Sequence, residues 1–178
     1  MPEMPMQLAI LKRLTAHLAG MTIADGYGYD MACKVFLGRT VFGSTDPLPR
    51  LSILEAPESA PGRAGGSEQT TRLVSWRLAL QGFVADDKAN PTDPAYWFKA
   101  QVERRLSEIV AEGPNGRPLY PTAFRLGRLI KGLAIENGVV RPPQENVSDK
   151  AFFWLPITIG YAPNTRSPMV EVADVDNP

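Results

Sequence analysis

Between Arg72 and Glu112 the hydrophobic period of the chain changes once, and that change constrains what it can fold into. Val74, Trp76, Leu78, Leu80 and Val84 fall on one side of an alternation whose other side holds Ser75, Arg77 and Gln81. A period of two predicts a strand with one buried face. After the polar spacer Asp86–Thr92, Asp93-Pro94 reads as a helix start, with Asp93 capping orphan N–H groups and Pro94 fixing φ in the first turn. Ala95, Phe98, Val102, Leu106, Ile109 and Val110 then recur at steps of three and four, an amphipathic helix of about four turns. Gly113-Pro114 stops it. A one-faced strand followed by a one-striped helix must bury the two apolar surfaces together, and nothing in this unit has a catalytic pattern.

The remaining elements follow from the same reasoning. Residues 1–5 read as a loose leader, and Met6–Leu18 as a helix with Gly20 as its stop. A strand is expected across Ala32–Arg39, where Cys33, Val35 and Leu37 alternate with Lys34 and Phe36, and a second over Arg50–Glu55 with Leu51 and Ile53 inward. Tyr120–Leu133 fits a short helix by the spacing of Phe124, Leu126, Leu129, Ile130 and Leu133, although Gly127 and Gly132 argue against it. Val139–Arg141 is a brief extended piece. Ala151–Tyr161 is a strand with Phe153, Leu155, Ile157, Ile159 and Tyr161 on one face. Pro156 has no N–H to give, which predicts either an edge position or a bulge. The segment 56–71, APESAPGRAGGSEQTT, holds little to bury and is expected to be a flexible insert, and 162–178 a loose acidic tail.

At 178 residues the chain is read as one α+β domain, a mixed or antiparallel sheet covered on one face by two or three helices. Nineteen Lys and Arg balance nineteen Asp and Glu, so no global field points to nucleic acid or membrane as the main partner. The charges are segregated all the same. Arg117, Arg125, Arg128 and Lys131 lie in an acid-free run, and Glu171, Asp174 and Asp176 cluster near the end. The amino-terminal apolar stretch carries Lys12, Arg13 and His17, unlike a signal peptide or a membrane span, and with the single thiol it suggests a protein used in a cytoplasm.

Signatures of catalysis are missing. His17 is the one histidine, so a catalytic triad or histidine-rich metal site would lack parts. Gly26-Tyr-Gly28 precedes a strand instead of following one and is no dinucleotide fingerprint. Cys33, alone in the chain, is read as a small buried hydrophobe. Asp86-Asp87 is a solvated turn by preference, because a hard cation needs six or more oxygens. Trp76 and Trp154 are assigned to core packing, and Trp97, beside the apolar stripe, to an interface. The reading is not an enzyme, with no cofactor and no metal.

The order of features resembles the tail terminator proteins of long-tailed bacteriophages, the lambda-type family. The residues that carry the likeness are the leading helix, Lys34-Val-Phe-Leu-Gly-Arg39, Asp46-Pro-Leu-Pro-Arg-Leu-Ser-Ile53, Ser75-Trp-Arg-Leu-Ala-Leu-Gln-Gly82, Asn90-Pro-Thr-Asp-Pro-Ala-Tyr96 and the strand Phe153–Tyr161. The resemblance implies a virion protein assembled in the host cytoplasm. Six subunits would form a ring that caps the head-proximal end of the tail tube, stops its polymerisation and joins it to the head connector. The implied partners are other copies of the chain, the tail tube protein and a connector or stopper protein, with genomic DNA passing through unread and no membrane. The insert at 56–71 and the extended segment 113–150 depart from the shortest family members.

Segregated charge on a neutral chain suits head-to-tail contacts between subunits, since opposite patches meet. The candidate assembly residues are Arg39, Phe42, Arg63, Arg77, Gln81, Trp97, Arg125 and Arg128. Two other classes stay open: another neck protein, such as a head–tail stopper or adaptor, and a small cytosolic enzyme or ligand-binding domain.

Overall fold

A computed structural model describes residues 3–56, 73–144, 148–164 and 169–171. The alternating stretch forms β4 (Val74–Val84), and it pairs antiparallel along its whole length with β7 (Ala151–Tyr161), from Val74 opposite Tyr161 to Val84 opposite Ala151. On the other side of β4 lies β3 (Arg50–Glu55), antiparallel, and beyond it β2 (Val35–Leu37), parallel to β3. The far side of β7 carries β5 (Gly132–Ile135) and β6 (Val139–Arg141), both antiparallel. A mixed six-stranded sheet results, in a mixed α+β fold.

Two helices, α1 (Met6–Ala19) and α2 (Asp93–Ser107), cover one face of it. Register puts Trp76, Leu78 and Leu80 on the same face as Ile159, Ile157 and Leu155, and these six pack with Phe98, Val102 and Leu106 of α2 and Ile10, Leu14 and Leu18 of α1. Phe98 meets Phe153 edge-on at 5.5 Å and Tyr29 edge-on at 5.2 Å, an arrangement the ring quadrupoles favour. The loop that carries Tyr27 and Tyr29 therefore folds into the core.

Several expectations need correction. Of the two positions open to Pro156, an edge or a bulge, the structure has the bulge, and β7 is paired on both sides. Its neighbours β5 and β6 are one interrupted strand: Ile135 pairs with Ile157, but Val139 pairs with Trp154, so the outer strand carries one extra residue between them. Pro156 sits opposite that bulge. Its carbonyl accepts from Glu136 N–H at 3.0 Å, so its donorless nitrogen faces the interruption, where no ladder bond is lost. Gly138 lets the bulged chain come close, since an added Cβ would lie 2.8 Å from the Trp154 carbonyl oxygen. Asp93 is the first residue of α2 and makes no side-chain cap. Ile109 and Val110 lie past the helix end.

Tyr120–Leu133 is not a right-handed helix. Its one helical piece, α3 (Arg125–Arg128), holds four consecutive residues at φ between 49° and 70°. Such left-handed backbone costs roughly 1–2 kcal/mol for each residue with a side chain. Two anchors offset this: Arg125 N–H donates to the Ile109 carbonyl at 2.7 Å, and Leu126 is buried in the core. From Gly132 the chain pairs with β7, and sheet pairing overrides the helical spacing. Cys33 is exposed at φ 58°, ahead of a strand limited to Val35–Leu37. Residues 3–5 are not loose but form β1 (Glu3–Pro5), paired with β8 (Met169–Glu171), part of the supposed tail. Residues 165–168 and 172–178 of that tail and nearly all of the 56–71 insert lie outside the described residues.

Trp76 is 6% exposed and packs 5.8 Å from the Tyr161 ring. Trp76→Ala is expected to lower unfolding free energy by about 3–5 kcal/mol, the range for deleting a large buried aromatic. Chemical denaturation checks this; an unchanged midpoint would place Trp76 outside the core.

Candidate assembly surfaces

A parallel strand pair needs a long connection, and β2 and β3 are joined by residues 38–49, which contain no helix. This loop crosses the sheet face opposite the helices. Phe42 lands on Phe83, with ring centroids 5.6 Å apart, and on Phe36 at 5.5 Å. Arg39 lies 4.9 Å from the Phe36 ring and 4.7 Å from Phe42, and Arg50 lies 4.4 Å from Phe42 and 5.2 Å from Phe83. Cations and rings thus alternate in one stack, each contact worth about 0.5–2 kcal/mol depending on its desolvation. Asp46 ties the stack down. Its carboxylate accepts from Arg39 Nη2 at 2.7 and 2.9 Å and from Gly43 N–H at 2.7 Å.

Arg39 and Phe42 are therefore brought together, but as parts of a built loop and not as free projections. Arg39 is partly exposed, whereas Phe42 is held between two guanidiniums and two rings. Arg50, which sequence reasoning placed simply in a strand, is 6% exposed and its Nε has no hydrogen-bond partner. Burial pushes its guanidinium below the usual arginine value, and nearby Asp46 and Asp149 oppose that shift. The Asp46-to-Arg50 spacing around two prolines was the available signal.

Farther along this face no described residues cover the sheet. Arg77 is exposed and donates to Glu136 at 2.6 Å, and Glu136 also accepts from the Thr158 hydroxyl at 2.8 Å. Those bonds, Thr158 first and Arg77 next, hold the Glu136 carboxyl below its ordinary range. Gln81, expected on the polar face, is on it but buried, flanked in register by Ser52 and Trp154. At 9% exposure it offers no free contact. Trp154 itself, assigned to the core, is 36% exposed beside Val139.

The opposite side of the molecule carries Trp97, 68% exposed, and Tyr96, 59% exposed, on the outer face of α2. With Asp93 and Ala100 they bound a shallow groove of about 430 Å³. Tyr96 escaped the sequence reading, although it adjoins Trp97. Arg125 and Arg128 flank Leu126 and Gly127 in the left-handed turn. Arg125 lies 3.6 Å from Glu112 and 5.0 Å from the Phe124 ring, and Arg128 is exposed. Arg63 lies outside the described residues. The seven described candidates thus divide among three regions, with Arg39, Phe42, Arg77 and Gln81 on one sheet face.

The hydrogen bond from Gly43 N–H, then Arg39, lowers the Asp46 carboxyl below its ordinary value near 4. A carboxyl depressed in the folded state stabilises above its unfolded pKa, and that stabilisation is lost as pH falls through the folded one. Asp46→Asn should therefore lower the denaturation midpoint at neutral pH, and the difference from wild type should shrink on acidification below about pH 4. A pH-independent difference would detach Asp46 from this coupling.

Among the described residues no three His, Cys, Asp or Glu side chains are grouped to hold a metal ion, and no helix is long and apolar enough to cross a membrane. Comparison of the chain with protein-family models finds no match, and comparison with curated proteins finds none either.

Proposed function

We propose that this chain is a tail terminator of a long-tailed bacteriophage, forming a ring that caps the tail tube and joins it to the head connector. The observation that carries the reading is the placement of two unpartnered aromatic surfaces on opposite sides of one domain. Tyr96 and Trp97 stand on the helix side, and Trp154 with Val139 on the open sheet side. Exposed Trp and Tyr are the residue types that anchor interfaces. Two different surfaces facing away from one another favour head-to-tail contact over a twofold dimer, and repeated head-to-tail contact closes into a ring when the rotation per subunit allows. The sequence likeness to tail terminators supplies the biological setting.

In this reading the activity is geometric. The ring binds the end of a growing tube and presents no surface equivalent to another tube subunit. The sheet-crossing loop, with Arg39 at its exposed rim, is the part suited to contact the neighbouring assembly.

Native mass spectrometry and electron microscopy of the purified protein test the proposal, with a ring of six subunits expected. Trp97→Ala should dissociate the ring while changing protomer stability by no more than about 0.5 kcal/mol, as for most exposed substitutions. In a phage lacking this gene, tails should be overlong or unjoined to heads. Normal head-joined tails in that phage would sink the assignment, and rings that bind portal assemblies but not tube ends would move it to another neck protein.

A further inference from the structure

We propose that the hollow between α1, the end of α2 and the left-handed turn is a binding site for a small oxyanion, a phosphate or a carboxylate, held by Arg13. The hollow measures about 350 Å³, within the size range of small-molecule sites, and is lined by Arg13, His17, Arg105, Glu108, Tyr120 and Thr122 among others.

Its floor is already self-satisfied. Arg105 donates through Nε to the His17 carbonyl and through Nη1 to Glu108, each at 2.8 Å, and His17 Nε2–H donates back to the Arg105 carbonyl at 2.7 Å. Tyr27 donates its hydroxyl to the same buried Glu108. Burial first, and the Arg105 charge with it, hold the His17 imidazole below its ordinary pKa, against the hydrogen bond to the Arg105 carbonyl and the charge of Glu108. Arginine and glutamate cancel, and the floor brings no net charge.

Arg13 is different. Its one hydrogen bond goes to the Leu126 carbonyl at 3.2 Å, and among the described residues no carboxylate lies within ion-pair distance. A guanidinium has five donors, so four remain. It is partly buried, where an unbalanced cation attracts an anion more strongly than in open water. Tyr120 and Thr122 add hydroxyl donors at the rim, and Arg128 and Lys131 follow nearby in the acid-free run.

The turn is fitted to Arg13. An added Cβ on Gly127 would fall 1.8 Å from Arg13 Nη1, so only glycine lets the guanidinium lie against the strained backbone. Strain of this kind concentrates at functional sites. An elongated polymer such as nucleic acid fits poorly, because the hollow itself holds a single uncompensated arginine. The site does not depend on the ring reading.

The test is an NMR titration of the full chain with inorganic phosphate and, separately, citrate, with ionic strength held constant by chloride. Saturable shifts are expected at amides of residues 120–128 with at least one of the two, and the stronger probe tells phosphate from carboxylate chemistry. Arg13→Gln should weaken binding tenfold or more, and Thr122→Val, an exposed change that leaves folding intact, severalfold. Arg128→Gln should change it less than twofold. Absence of saturable shifts with both probes would overturn the proposal. So would unaltered affinity in Arg13→Gln or, should that variant fail to fold, in Thr122→Val.

Discussion

The β4–β7 ladder is the constraint on which the rest of the structure depends. Each strand runs eleven residues and they are paired end to end. Because side chains alternate, one register decision sends Trp76, Leu78 and Leu80 inward with Ile159, Ile157 and Leu155, and sends Arg77, Gln81 and Phe83 outward with Thr158, Trp154 and Phe152. A slip of one residue would exchange those faces and destroy the core. The helices, the bulged outer strand and the β3 pairing all take their positions from this pair.

The second face follows from the first. With α1 and α2 on the inward side, the 38–49 connection is what covers the outward one among the described residues, and it covers one end. There Phe83 and Phe152, 6.0 Å apart, give Phe42 a platform. Arg50 can be buried at that end because rings lie against its planar group, an arrangement a more strongly hydrated lysine would not tolerate equally well. The other end stays open, so Trp154, Val139 and the Arg77–Glu136 pair meet solvent. Candidate contact residues are therefore a consequence of how far one loop reaches.

What was legible in the sequence tracks how local the governing physics is. Periodicity found β4, β7, β3 and most of α1 and α2, because each buries one face or stripe of its own. It misread 120–133, where Leu126 and Ile130 do face the core but from a left-handed turn and its exit. Helical spacing carries no information about the sign of φ. Pro156 was read as a missing donor at an edge or a bulge; the bulge is the outcome, but it belongs to a strand twenty residues upstream and so could not be placed from Pro156 itself. Among the candidate contacts, Trp97 was legible because a tryptophan off the apolar stripe must face outward. Arg39, Phe42 and Gln81 were not, since their exposure depends on a loop path and on neighbours from three other strands.

The strained turn and the open sheet face illustrate two ways in which this fold departs from minimum energy, and they call for different explanations. An uncovered aromatic surface loses hydrophobic stabilisation that a partner can restore, so it points outward, to assembly. A run of residues at positive φ cannot be relieved by covering it; the cost sits in the backbone. It persists because Leu126 is plugged into the core and Arg125 N–H is fixed to the end of the α2 segment. What the turn obtains locally is a carbonyl and a glycine surface shaped for Arg13, with the guanidinium kept away from any described carboxylate. The two features lie on separate parts of the domain, so the proposed ring formation and the proposed anion binding are open to separate alteration.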